Sequence, residues 1–240
     1  MNRKTLFLDY LTIAFRLVKY NLKIIFAGKF IYFLAAAMAM FMLIALLNLF
    51  GADSTIADTT VYWLLLVPGI LLVFYPTVFG IQNDADARMI EILFGIPNYR
   101  YTVWLLRFFI MYALTFTILF VLAAMTSMLM VDIPTLKMTA EVMAPVFFFG
   151  SIAFMVSTFV ANGGGTAVVM IVGGIGLWIS QAFIGNSQWN PLINPFNIPQ
   201  NVNETVWAET MRNNRMFIFA VVAAALLVAL LNLQKRERFI

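Results

Sequence analysis

The segment 142–184 decides the class of fold, and it reads VMAPVFFFGSIAFMVSTFVA-NGG-GTAVVMIVGGIGLWISQAFI. The stretches 142–161 and 165–184 contain no charged residue, and each is long enough for an α-helix to cross a bilayer, which takes about 20 apolar residues. Only Asn162-Gly163-Gly164 separates them. Since the two together exceed one crossing and glycine permits a tight reversal, we interpret the NGG sequence as a turn between two spanning helices. The alternative is one long interrupted apolar segment.

Four more uncharged stretches lie at 30–50, 61–81, 108–131 and 216–233. All 15 basic and 11 acidic residues fall outside the six stretches. Barrel strands would alternate apolar and polar positions, whereas these stretches are continuously apolar. The sequence therefore predicts an all-α polytopic membrane protein, with a six-helix transmembrane domain over 30–233.

Composition excludes several other classes of protein. Hydrophobic residues make up 63% of the 240 and charged residues 11%, against roughly 45–50% and about 25% in soluble domains. The absence of His and Cys removes imidazole acid–base chemistry, cysteine nucleophiles, disulfides and the usual zinc ligands, so we expect no metal site. No phosphate-binding loop is present. We attribute the net charge of +4 to the flanks of membrane spans rather than to nucleic-acid binding.

The basic residues also predict an orientation. Twelve of the 15 lie in 1–29, 82–107 and 234–240, which an even number of spans places on one side of the membrane. By the positive-inside rule this side is the cytoplasm, so both termini, the 82–107 connection and the basic tail 234–240 are expected there. The first apolar stretch is too long for a signal-peptide core, and we expect an uncleaved first span.

Three connecting segments carry further signals. In 1–29, polar residues recur every three or four positions, which predicts an amphipathic helix lying in the membrane interface or packed on another protein segment. In 82–107, Asp84, Arg88 and Glu91 share one face of a short helix that Gly95 and Pro97 end. In the exterior connection 185–215, three prolines exclude one continuous helix, and Asn201 with Glu204 predicts a capping box that opens a short helix within a folded cap. The short helix in 82–107 is either a solvated loop helix that covers the ends of the spans or a contact element for a cytoplasmic partner.

The spans themselves contain only neutral polar residues, which we expect to hydrogen-bond within or between helices. Proton relays and many ion-coupled carriers use buried charges. The chain is therefore not expected to be an enzyme or a self-powered carrier, and energy would come from another chain. Pro68, Gly69 and Pro76 predict a disturbed second span, as a hinge or a widened pathway.

At this point the chain resembles the membrane subunits of ABC-type exporters of the type-2 permease class. The resemblance covers the architecture of nearly the whole chain, and its sharpest part is the loop after the second span. The matching residues there are Asp84, the tetrapeptide 91–94 (EILF), Pro97 and Arg100, with Arg88 where glycine is usual. The charged flanks of the last span, Asn214-Arg215 and 233–239, also match.

The resemblance implies a cytoplasmic ABC ATPase subunit that uses ATP and Mg²⁺, a second permease subunit, identical or homologous, and a prokaryotic plasma membrane. The residues implied to couple to the ATPase are Asp84, Asp86, Arg88, Glu91, Pro97 and Arg100. Pathway or hinge residues, implied by the family's second and fifth spans, are Pro68, Gly69, Pro76, Gly173, Gly176 and Gln181. The uncharged, aromatic-rich interior suggests a lipid-like, amphipathic or peptidic substrate. The alternatives are a membrane scaffold or assembly protein and a self-contained channel or carrier.

Overall fold

The computed structural model describes residues 29–49, 58–86, 100–160 and 162–233. Its six α-helices, with a short π-helical segment Arg100–Leu105 before the third, are α1 Phe30–Leu49, α2 Asp58–Asp86, α3 Leu106–Leu129, α4 Thr135–Val160, α5 Gly163–Ile184 and α6 Glu204–Asn232. All six are long and apolar enough to cross a membrane, and the described part contains no strand. The chain is thus an all-α polytopic membrane protein, as predicted. The amphipathic helix predicted in 1–29 and the tail 234–240 lie outside the described residues, apart from Lys29.

Two helices, α2 and α4, form the centre of the bundle. Helix α2 contacts α1, α3, α4 and α5, and α4 contacts α2, α3, α5 and α6. Their most apolar windows are mostly buried, whereas α5 buries only Gly163 and Thr166. A helix that is apolar all round and still exposed is suited to face lipid or another membrane chain. We call the end of the bundle where α2 ends and α3 begins the 87–99 end, and the opposite end the cap end.

The turn predicted at 162–164 is present. The Asn162 side chain caps α5, because its Oδ1 accepts from the Gly165 amide at 3.1 Å. The Gly163 amide donates to Gln82 Oε1 at 2.6 Å. A Cβ at residue 163 would overlap the Phe79 ring, so only glycine lets α5 begin this close to α2.

Four of the six helices, α2, α4, α5 and α6, are longer than the uncharged stretches that predicted them. The clearest case is α6, which begins at Glu204 rather than 216 and is capped by Asn203, whose Oδ1 accepts from the Thr205 amide at 3.3 Å. The separate short helix expected in 185–215, with Asn201 as its cap, was therefore wrong. The helix continues without interruption from the charged segment 204–215 into the apolar stretch, because nothing in that part of the sequence breaks a helix.

Helix α2 runs through both of its prolines. Next to Pro76, the Thr77 hydroxyl donates to Val73 O at 2.7 Å and lies 3.1 Å from Phe74 O, so a side chain adds a hydrogen bond to the turn in which proline has no N–H to donate. A Cβ at Gly69 would lie 2.9 Å from Val146 Cγ2, so this glycine lets α2 and α4 approach closely.

Candidate functional site

The strongest electrostatic feature of the 87–99 end is a buried ion pair. The Arg107 guanidinium, in the first turn of α3, donates to the Asp84 carboxylate, in the last turn of α2. The two side chains are only 10% and 5% exposed. The same guanidinium lies over the Trp104 ring, 4.9 Å from its centroid. The last turn of α2 and the first turn of α3, which flank residues 87–99, are thus held to one another by opposite charges.

Further polar contacts tie other helices together at this end. Asn232 Nδ2, at the end of α6, donates to Thr158 O of α4 at 2.6 Å and links these two helices. The bond from Gly163 to Gln82 links α5 to α2. Within α2, Asn83 Nδ2 donates to the Tyr75 hydroxyl at 3.2 Å. Because apolar surroundings leave such groups no water as an alternative partner, each bond fixes its helices in register.

The structure separates the coupling residues predicted from the sequence. Asp84 is buried and its ion-pair partner is Arg107, whereas Asp86 is exposed. Arg100 is the first residue of the π-helical segment. The other three predicted coupling residues lie outside the described residues, namely Arg88, Glu91 and Pro97. A surface role therefore fits Asp86, and Asp84 holds the base of the segment instead of presenting a charge to a partner.

Three predicted pathway residues, Pro68, Gly69 and Pro76, are buried in α2. Gly69 lies where α2 packs against α4 and also against Leu119 of α3. Pro76 borders a small cavity of about 30 Å³ beside Arg107. Gly69 thus serves close helix packing at the centre of the bundle.

The predicted pathway residues of α5 have different surroundings. Gly173 and Gly176 are exposed, and a Cβ at either position would meet no atom within 4 Å. Gln181 exchanges two hydrogen bonds of 2.8 Å with the side chain of Asn190. Gln181 thus holds the end of α5 to the connection that follows it.

Two larger cavities open beside the central helices. One, of about 250 Å³, lies between α2, α4 and α5 and is bordered by Thr77, Gly150 and Gly174. The other, of about 520 Å³, lies between α3, α4 and α6 and is bordered by five phenylalanines. We call the second one the α3–α4–α6 groove. No charged side chain of the described residues borders either cavity, so both suit uncharged guests.

The cap end holds a second ion pair between helices. Arg215 of α6 donates twice to Glu141 Oε2 of α4, at 2.6 and 2.9 Å. Beside it, Asn214 donates to Gln188 O and to Asn190 O at 2.9 and 2.8 Å. The connection 185–203 is thereby bonded to the bundle and forms the folded cap that the sequence indicated.

No role was predicted for Arg107 or Glu141, and Arg215 was noted only as part of the charged flank of the last span. Each belongs to a helix and pairs with a residue 23 or 74 positions away. The available signal was their position directly beside an apolar stretch, where one more helical turn brings a charge to the bundle edge. Among the described residues, no three His, Cys, Asp or Glu side chains are grouped so that they could hold a metal ion.

Comparison of the chain with known protein families, with curated proteins and with solved structures gave no match.

Proposed function

We propose that this chain is the membrane-embedded permease subunit of an ATP-driven exporter of the ABC type. In this proposal the chain resides in a prokaryotic plasma membrane with both termini in the cytoplasm, and a separate ATPase subunit docks on the 87–99 segment. ATP, Mg²⁺ and the hydrolysis step belong to that partner.

The observation that carries the proposal is the buried Asp84–Arg107 pair at the base of the 87–99 segment. A force applied to the segment reaches α2 and α3 as a unit, because separating their ends exposes a charge that the apolar surroundings cannot stabilise. Helix α2 contacts four of the other five helices, so its displacement reaches most of the bundle. Such an arrangement suits a subunit that is moved by another protein.

The exposed surface of helix α5 supports the part of the proposal that concerns a second permease subunit. Its glycines at 173, 174 and 176 have open space at their Cβ positions within the described chain. Small residues allow two membrane helices to approach closely. A second permease, identical or homologous, would contact this face.

A self-contained carrier is the second candidate, and the two ion pairs favour it. Ion-coupled carriers depend on charges held between helices, and Asp84–Arg107 and Glu141–Arg215 are such charges at opposite ends of the bundle. This proposal predicts solute or proton flux from the purified chain alone in sealed vesicles. The permease proposal predicts no flux without the ATPase.

The experiment is purification in mild detergent, followed by identification of co-purifying proteins and measurement of ATP hydrolysis. We expect a nucleotide-binding subunit whose hydrolysis rate depends on this chain. Glu91→Lys or Arg100→Glu should lower that stimulated rate while leaving membrane insertion intact, and Glu204→Lys, at the opposite end, is the matched control. A chain that purifies without any ATPase and shows no flux would support the scaffold alternative instead.

A further inference from the structure

The α3–α4–α6 groove contains two hydroxyl groups without partners. The Tyr112 hydroxyl and Ser151 Oγ are buried, and neither has a hydrogen-bond partner among the described residues. The two residues are 7% and 0% exposed, and both border the groove. The two hydroxyls lie close enough to interact with one another, but two hydroxyls can place only one of their two hydrogens between them. A buried hydroxyl hydrogen without an acceptor costs free energy, so the pair marks a place where an acceptor is missing.

Other hydroxyls of the same helices avoid this cost. Thr115 and Thr117 of α3 donate to carbonyls of their own helix at 2.9 and 2.8 Å, and Ser157 of α4 does so at 2.8 Å. Ser151 does not, although it lies in the same helix as Ser157. A Cβ at Gly150 would overlap the Tyr112 hydroxyl, so the chain keeps space for this oxygen where a larger residue would exclude it.

The walls of the groove determine what kind of molecule fits. Its volume of about 520 Å³ lies in the range of small-molecule sites, roughly 300–1,000 Å³. Phenylalanines line it, no described charged residue does, and its mouth carries Phe109 and Phe219, which are both exposed. The guest is therefore uncharged and mainly apolar, and it enters from the lipid phase.

The depth of the Tyr112 and Ser151 hydroxyls in the membrane restricts the class of guest further. At 1.5 Å per residue, Ser151 lies roughly 24 Å from the start of α4 and roughly 13 Å from its end. The hydrocarbon core of a bilayer is about 30 Å thick, so this position lies well inside it. Ester groups of bilayer lipids remain near the boundary, and the acceptor must instead lie within the apolar body of the guest.

We propose that the α3–α4–α6 groove binds an uncharged lipophile that carries a carbonyl or similar oxygen within its apolar body, and that the Tyr112 and Ser151 hydroxyls donate to this oxygen. The site belongs to this chain alone. It goes beyond the permease proposal and holds whether or not an ATPase partner is present.

The test uses two competitors that differ in one oxygen, a long-chain dialkyl ketone with a mid-chain carbonyl and the alkane of the same length. The purified chain is placed in nanodiscs of ether-linked lipids, which have no ester carbonyl, and is labelled with a photoreactive form of the ketone. Unlabelled ketone should compete about tenfold better than the alkane, the ratio expected for one buried hydrogen bond. Mass spectrometry should locate the label on residues of the groove.

Tyr112→Phe combined with Ser151→Ala removes only the two oxygens. This variant should compete equally with ketone and alkane, and its thermal stability should be unchanged or higher because two unpaired hydroxyls are gone. Thr117→Val is the control, since that hydroxyl bonds to its own helix, and it should keep the tenfold preference. Ala140→Phe, which fills the mouth of the groove, should reduce labelling at least tenfold in the otherwise native chain.

Three results would overturn the proposal. The first is equal competition by ketone and alkane in the native chain. The second is a preference that persists in the double variant. The third is a tenfold loss of ketone binding when ester-linked lipids replace ether-linked lipids, because bilayer esters would then be the guests that fill the hydroxyl pair.

Discussion

Removing one partner of the Asp84–Arg107 pair should destabilise the bundle by about 3–5 kcal/mol, the usual cost of leaving a buried charge unpaired. The side chains are 5% and 10% exposed, so solvent screens this interaction little. The two single variants should differ in pH dependence. In Arg107→Gln the orphaned carboxyl can take up a proton, whereas in Asp84→Asn the guanidinium cannot lose one.

The difference in pH dependence between the two variants follows from the free-energy cost of protonating an aspartate. Protonating a solvated aspartate costs about 4 kcal/mol near neutral pH and about 1.5 kcal/mol at about pH 5. The folded Arg107→Gln variant binds this proton more readily than its unfolded chain does, so its stability rises as the pH falls. Over that interval it should gain stability relative to Asp84→Asn, by at most about 2–3 kcal/mol, which is the change in the cost of protonating the unfolded chain.

The assay is unfolding in mixed micelles with increasing denaturing detergent, followed by the fluorescence of Trp104 in variants that lack the other tryptophans. The ring lies 4.9 Å from the guanidinium and reports directly on the pair. The exchanged variant, Asp84→Arg with Arg107→Asp, should recover more than half of the single-variant loss. Single variants within about 0.5 kcal/mol of the native chain, as at a solvent-exposed pair, would refute the reasoning.

Three further predictions concern packing and the cap end. Gly69→Leu should cost about 1–3 kcal/mol in the same unfolding assay, because its Cβ lies 2.9 Å from α4, while Gly80→Leu, with open space at its Cβ, should cost less than 1 kcal/mol. Asn190→Ala removes the bonds to Gln181 and should accelerate amide hydrogen exchange in the cap connection at least tenfold, without a change at the 87–99 end. Arg215→Gln should destabilise the bundle by less than Arg107→Gln does, because the cap-end pair is more exposed.

The sequence was sufficient for the class of fold because spanning helices have a strong one-dimensional signal. Length and absence of charge located all six helices, and Asn162 with its following glycines marked the tightest turn. Helix ends were predicted less well, because a charged residue beside an apolar stretch can either stop a span or extend it. At Arg107 and Arg215 the helix includes the charge, since the partners Asp84 and Glu141 lie on neighbouring helices and a one-dimensional pattern does not show them.

The candidate sites depend on contacts between residues far apart in the chain. Asn214 bonds to backbone carbonyls 24 and 26 positions earlier, and Tyr62 donates to Ile193 O, 131 positions later. No periodicity links such residues. Ser151 shows the same limit, since hydrogen bonding within or between helices was predicted for the polar residues of the spans, and the Ser151 hydroxyl, unlike that of Ser157, has no such bond in the assembled groove.

The central claim is that a separate ATPase docks on the 87–99 segment, and the chain is well suited to a direct measurement because it contains no cysteine. A single cysteine at 91, carrying a photoreactive crosslinker, can be compared with one at 187 in the cap connection. The account predicts that position 91 forms a covalent adduct with a nucleotide-binding protein in native membranes, that Arg100→Glu weakens this adduct, and that position 187 forms none. Equal adducts at both positions, or none at 91 in membranes where the chain supports ATP-dependent export, would contradict it.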